Sequence, residues 1–135
     1  GWPYCWGNQT PDPNFEGPTN FCSSTTSPLI MFTSHSTPIG ISFLDQTDFP
    51  NDFKNDAIVA LHGSWNRSDF SGYKLIRVRF DENNNPISSE DFVSGWLANG
   101  KAWGRPVDVI QSYDGGLFVS DDRSGFIYKI TYTGK

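Results

Sequence analysis

The sequence predicts an all-β fold of short antiparallel strands, and three observations carry that expectation. Thirteen Gly and nine Pro punctuate the 135 residues, leaving few stretches long enough for a helix. Apolar residues alternate, as in "TPIGISFL", where Ile39, Ile41 and Phe43 fall on one strand face. The strand pattern that begins near residue 36 begins again near residue 105.

Residues 1–32 show little periodicity and are rich in Pro, Gly, Asn, Ser and Thr. They read as a loop-rich excursion that ends in the short apolar segment "PLIMF". Cys5 and Cys22, the only cysteines, both lie in it. An even count in one coil-like segment suggests a disulfide worth about 3 kcal/mol. Two reduced thiols in a cytosolic chain is the other reading. Asn8 ("NQT") and Asn66 ("NRS") head glycosylation sequons, which suit a secreted chain and also arise by chance. The opening "GWPYCWG" has neither an initiator Met nor an apolar leader, so a processed chain or a part of something longer is expected. The expected location is extracellular, or periplasmic in a bacterium.

From residue 33 the character changes. "TPIGISF", "DAIVAL" and "YKLIRVRF" read as strands, the second apolar throughout and hence buried. "DENNNP" is a turn by composition, and "ISSEDFVSGW" reads as a fourth, more exposed strand. Then "RPVDVIQ" matches "TPIGISF", "GGLFVSDD" matches "DAIVALHG", and "GFIYKITY" matches "GYKLIRVRF". Each unit is a Pro-led strand, a buried strand ending in polar residues, and a strand opening with Gly-aromatic. The first unit differs by the insertion "LDQTDFPNDFKND". A repeat of roughly forty-five to seventy residues with four antiparallel strands is a β-propeller signature. A β-sandwich with similar hairpins is the alternative. The expected blades are 33–97 and 98–135, the last without a fourth strand. Since a ring needs at least about four blades, the chain is expected to supply roughly the last two blades of a longer polypeptide.

Charge and hydropathy exclude some classes. The net charge is −5 with no Lys/Arg cluster, which argues against a nucleic-acid partner. Runs such as "AIVAL" and "GGLFV" are too short to span a bilayer.

In a propeller, residues just past one end of the inner strands converge on the central channel. The repeat alignment puts His62 and Asp121 at equivalent strand ends, with His35 and Arg105 just before Pro38 and Pro106. His35, His62, Trp65, Asn66, Arg67 and Arg105 are therefore expected to face one pocket. Guanidinium groups grip carboxylates bidentately and a Trp offers a stacking face, so the set suits a flat polyanion. Each residue also has an ordinary reading. His62 serves a turn, Trp65 caps the core edge, Asn66 is a turn residue or glycan anchor, and the arginines pair with surface Asp. Two histidines without His-Glu-x-x-His or Cys-x-x-Cys make a catalytic zinc improbable. "DDRSG" at 121–125 lacks the spaced ligands of a calcium loop and reads as a hairpin turn. No Gly-x-Ser-x-Gly elbow or P-loop is present, and no metal ligand is assigned.

Together "GWPYC", "HSTPIGISF", "DAIVALHGSWNRS", "GYKLIRVRF" and "WGRPVDVIQSYDGGLFVSDDRSGFIYKI" resemble the C-terminal part of the glucose/sorbosone dehydrogenase family, in particular sorbosone and fungal pyranose dehydrogenases. The resemblance implies a six-bladed propeller that binds pyrroloquinoline quinone (PQQ), usually with Ca²⁺, and oxidises sugars by hydride transfer to the quinone. It puts Arg105 where a cofactor-contacting arginine precedes the final strand. It puts "HGSWNR" where soluble glucose dehydrogenases bring a lysine to the cofactor, a charge that here falls to Arg67, helped by His62 and Trp65. His35 falls in a pocket-lining segment. The histidine base and main Ca²⁺ ligands of those enzymes belong to earlier blades, so no catalytic residue is assigned and Ca²⁺ ligands are expected outside this chain. The chain alone is then not expected to be active; its partners are a sugar and the remaining blades. A catalytically silent, extracellular carbohydrate-binding or adhesion propeller is the alternative. A calcium-dependent propeller lactonase lacks visibly spaced ligands.

With lateral apolar faces uncovered, the isolated 135-residue chain is expected not to be a stable monomer. A thermal melt of the purified chain at low concentration tests this, a cooperative transition counting against it.

Overall fold

The computed structural model describes residues 1–134 and divides into two compact units, Gly1–Met31 and a second that begins at Phe32. In the first unit a two-stranded hairpin, β1 (Cys5–Trp6) and β2 (Thr10–Pro11), precedes a 3-10 turn at Cys22–Ser24. The Cys5–Cys22 disulfide is formed, with Cα atoms 5.6 Å apart, and the reduced-thiol reading falls. Among these residues only Cys5 is buried. The covalent link takes the place of a core that so short a segment cannot build. Gln9 Nε2 adds a hydrogen bond to the Thr25 carbonyl at 2.5 Å.

The second unit contains two antiparallel sheets, each with its strands in sequence order. The first comprises β3 (Pro38–Phe43), β4 (Ala57–Leu61), β5 (Lys74–Phe80) and β6 (Pro86–Val93). A small hairpin, β7 (Leu97–Ala98) and β8 (Lys101–Ala102), leads to the second sheet: β9 (Pro106–Gln111), β10 (Leu117–Asp121) and β11 (Phe126–Ile130). The fold is therefore all-β. No helix among the described residues is long and apolar enough to cross a membrane.

Burial explains the order of these strands. All five residues of β4 are buried, as its unbroken apolar run requires of a central strand. β6, with Ser88, Ser89, Glu90 and Asp91 exposed, is the edge. The core lies between the sheets, with Ile58, Ala60 and Leu75 on one side and Val109, Leu117 and Val119 on the other. Gly40 allows the closest approach: a Cβ there would lie 2.6 Å from both Asp108 Cα and the Val107 carbonyl oxygen. The alternation of Ile39, Ile41 and Phe43 does not mark the core. These side chains are 52–61 % exposed, because the small Gly40 and Ser42 occupy the packed side of β3. On the second sheet, Ile110, Phe118 and Ile127 likewise line an open groove of about 320 Å³.

Strand pairing gives the repeat a sharper register than the sequence does. Pro38 pairs with Leu61 and Gly40 with Ala60, passing over Ile39; Pro106 pairs with Asp121 and Asp108 with Ser120, passing over Val107. Both sheets thus carry a one-residue bulge at the same place. Leu61 pairs with Lys74 as Asp121 pairs with Phe126. The structural counterpart of His62 is consequently Asp122, not Asp121, that of Arg105 is Thr37, and that of Tyr73 is Gly125. The apolar alignment slipped because Asp121, read as a strand end, is a buried strand residue whose carboxylate is fully bonded.

The insertion is fastened by Arg77. Its Nε donates to Asp56 Oδ2 at 2.6 Å and its Nη1 to Glu90 Oε1 at 3.2 Å; its Nη2 donates to the Asp52 carbonyl, and its guanidinium lies 3.5 Å from the Phe53 ring centroid. Asp56 Oδ1 accepts the Phe80 amide at 3.0 Å. Both side chains of the Arg77–Asp56 pair are 4 % exposed. Removing one partner leaves a buried charge unpaired, so Arg77→Met is expected to destabilise by about 3–5 kcal/mol, with partial recovery in Arg77→Met/Asp56→Leu. Urea unfolding of the full-length protein measures both.

Candidate functional site

The segments around residues 33–37, 62–73, 103–105 and 121–125 meet at one end of the two sheets. The His62 amide donates to the Thr37 carbonyl and the Gly63 amide to the Ser36 carbonyl, both at 2.9 Å. The Ser64 amide donates to the Ser71 carbonyl at 2.9 Å, and Ser64 Oγ accepts the Ser71 amide at 3.2 Å. Two glycines let these backbones touch: a Cβ on Gly72 would lie 2.7 Å from Gly63 Cα and from the Ser36 oxygen. Left-handed backbone concentrates here, at His35 (φ 65°), Thr37 (56°), Gly63 (100°), Gly72 (86°) and Tyr73 (57°). For residues with a Cβ this conformation costs about 1–2 kcal/mol, and such outliers gather where function constrains the chain.

Arg105 joins the sheets. Its Nη2 donates to the Gly63 and Ser64 carbonyls at 2.6 and 2.8 Å, and its guanidinium lies 5.3 Å from the Tyr73 ring centroid. Its Nε is buried without a protein acceptor. His62 Nε2 lies 2.9 Å from Asp122 Oδ1, a second link between the sheets. Tyr73 is buried; its hydroxyl donates to the Ser64 carbonyl, and its ring packs where any Cβ on Gly63 would fall, 2.6 Å away.

Asp121 is an anchor beneath this end. It is 3 % exposed, and its Oδ1 accepts the amides of Arg105, Arg123 and Ser124 at 2.9–3.0 Å while Oδ2 accepts the Tyr128 hydroxyl at 3.0 Å. Gly104 leaves the room: a Cβ there would collide with Asp121 and Trp96. Burial alone would raise the Asp121 pKa, but the hydrogen bonds from Ser124, Arg105 and Tyr128 outweigh it and hold the carboxyl below its ordinary range.

The other sequence-predicted residues divide. Arg67 Nε donates to the Asp69 carbonyl at 2.9 Å and Nη1 to the Ser34 carbonyl and Oγ at 3.1 Å, tying its loop to the segment that carries His35. His35 is exposed, as is Asn66, and Trp65 is 82 % exposed. The structure thus connects His62 and Arg105 through Gly63 and Ser64, with Trp65 and Asn66 on the outer part of the same loop. Tyr73, Asp121 and Asp122 were not among the predicted site residues. The "GY" following "HGSW" and the doubled Asp were the available signals. Asn8, like Asn66, is exposed.

Arg105 retains a buried N–H without an acceptor, and His35 and Trp65 are open to solvent, so these are the donors and the ring left to engage an acidic, flat group. Arg67 adds less, since the Asp69 and Ser34 oxygens already engage it. Among the described residues no group of three or more His, Cys, Asp or Glu is placed to hold a metal ion.

Two antiparallel sheets, linked at one end by Arg105 and His62, make up the second unit's principal frame. The chain belongs to the TrAA12-like family, whose pattern matches residues 6–133. It is 32 % identical over 134 residues to an uncharacterized protein of Borreliella burgdorferi, covering 98 % of this chain and 35 % of that one. The calcium structure of a Trichoderma reesei carbohydrate-active enzyme of family AA12 superposes with TM-score 0.66 at 24 % identity, over 82 % of this chain and 28 % of that one. The holo form of the pyranose dehydrogenase PQQ domain of Coprinopsis cinerea superposes with TM-score 0.62 at 27 % identity, over 82 % and 30 %. The chain therefore spans about a third or less of these relatives.

Because its folded pKa is depressed, Asp121 contributes stability above the ordinary carboxylate range, near pH 4, and loses it as pH falls toward the folded value. Asp121→Asn is expected to lose about 2 kcal/mol at pH 7, the scale of a charge-assisted hydrogen bond, and to approach wild type as pH falls below the ordinary carboxylate range. Denaturant titrations between pH 7 and pH 2.5 check the convergence.

Proposed function

We propose that this chain is part of an extracellular, PQQ-dependent sugar dehydrogenase of the sorbosone or pyranose type, to which it contributes residues of the cofactor pocket. The observation that carries the reading is Arg105. In a chain of this family, it stands at the convergence of the two sheets with an unmet buried N–H, at the position where the family resemblance puts a cofactor-contacting arginine. Bound PQQ would supply the hydride acceptor, and its carboxylates suit guanidinium and imidazole donors. In this reading Arg105 and His62 hold the acidic rim, His35 and Trp65 supply open faces, and Arg67 and Asn66 shape the loop between them. Ca²⁺ and the base that removes the sugar hydroxyl proton belong to residues outside this chain.

The same reading makes the two sheets neighbouring blades of a six-bladed propeller, 33–97 and 98–135. The outer apolar residues Ile39, Ile41 and Phe43 on one side, and Ile110, Phe118 and Ile127 on the other, then take the adjoining blades. The unpaired edge of β11 takes a fourth strand. The disulfide and the exposed sequons at Asn8 and Asn66 support an oxidising, secretory environment. A second reading, a carbohydrate-binding propeller without redox activity, is favoured by the exposed Trp65 and by the engagement of Arg67 within its own loop.

Titration of the full-length protein with PQQ, followed by near-ultraviolet and visible absorbance, separates the two. Saturable binding, weakened about tenfold or more by Arg105→Ala, is expected on the scale of a lost charge-assisted contact. PQQ-dependent dye reduction with at least one sugar of a broad panel is expected as well. Sugar binding without any PQQ effect would favour the second reading.

A further inference from the structure

The bulges and strand pairing make Tyr73 and Gly125 counterparts, and both have left-handed backbone, at φ 57° and 72°. The turn into the third strand therefore demands this conformation in each sheet. The second sheet meets the demand with glycine, which adopts it freely. The first meets it with a tyrosine, one of the residue types least suited to it. The backbone gains nothing from that choice, so the reason lies in the side chain.

Besides its place in the core and an edge-on packing against Phe70 at 6.1 Å, that side chain makes three contacts on the candidate site. Its hydroxyl donates to the Ser64 carbonyl, which also accepts Arg105 Nη2 at 2.8 Å. Its ring covers Gly63, whose carbonyl accepts the same Nη2 at 2.6 Å. The ring also lies under the Arg105 guanidinium, 5.3 Å from its carbon. Arg105 is thus held by two carbonyls that Tyr73 fixes and by the ring itself. We infer that Tyr73 is a positioning residue that acts through Arg105, setting the guanidinium and the His62–Ser64 turn as one rigid unit for recognition of an acidic ligand. The ligand class rests on the reading proposed above; the coupling of Tyr73 to Arg105 does not.

Two measurements on the full-length protein test the inference. The first is a double-mutant cycle on PQQ affinity with Tyr73→Phe, which keeps the ring and removes the hydroxyl, and Arg105→Lys. Tyr73→Phe is expected to weaken binding about tenfold in the wild-type background, the scale of one hydrogen bond, and less than about twofold beside Arg105→Lys. A merely structural role gives equal losses in both backgrounds, and that additivity, or unchanged affinity in Tyr73→Phe, overturns the inference. The second is the NMR signal of the Arg105 Nε–H in protein labelled with ¹⁵N-arginine. A slowly exchanging signal in wild type that exchanges at least about tenfold faster in Tyr73→Phe supports the coupling; an unaltered signal refutes it. If wild-type protein does not bind PQQ, the cofactor reading fails alone, and the NMR comparison decides the role of Tyr73.

Discussion

One nitrogen, Nη2 of Arg105, ties the two sheets at the end of the candidate site, beside the His62–Asp122 link. It is shared between consecutive carbonyls, Gly63 and Ser64, on a loop where β4 has ended and its ladder no longer supplies donors. Arg105 is in turn fixed at its amide by the buried carboxylate of Asp121. The neighbouring Asp122 reaches back to His62. Residues 121, 105, 63, 62 and 122 therefore form a closed circuit of hydrogen bonds and peptide links across the sheets. A break at any member frees the next, which makes the orientation of His62 and Arg105 a property of the ring rather than of either residue.

The two ends of the first sheet do different things. At the end where β4 begins, Arg77, Asp56 and Phe53 pack a buried ion pair under an aromatic ring and fasten the inserted segment. At the end where β4 finishes, left-handed residues accumulate and polar groups gather around Arg105. Strained backbone persists only where its surroundings over-determine it. The bonds converging on Ser36, Thr37, Gly63 and Ser64 supply that constraint.

Much of the architecture was legible in the sequence. Seven principal strands follow from alternation, apolar runs and Gly/Pro punctuation, and the cysteine pair follows from its confinement to one loop-rich segment. Residue type alone does not record burial, and the repeat register was misread because a polar residue was taken for the end of a strand. Ile39, Ile41 and Phe43 alternate like core residues yet face outward, because glycine and serine let the sheets approach more closely on the other side. Asp121 looks like the polar end of a strand yet lies inside it, its carboxylate saturated by three amides and a tyrosine. That single error shifted the repeat alignment by one residue and concealed Asp122 as the counterpart of His62. That the loops carrying His35, Arg67 and Arg105 come together was expected from the strand ends, but which donors remain unmet depends on partners up to about forty residues away along the chain, and no local pattern records them.

The crossing at Gly40 has a consequence for how such a site is preserved while sequences drift. There β3 meets β9 so closely that the Asp108 Cα, its Oδ1 and the Val107 carbonyl oxygen all stand 2.6 Å from where a Cβ on Gly40 would lie. Substitutions elsewhere in the core change how firmly the sheets adhere without changing how far apart they stand at this point. The crossing acts as a mechanical stop, so the geometry across which Arg105 must reach is insulated from repacking of the apolar interior.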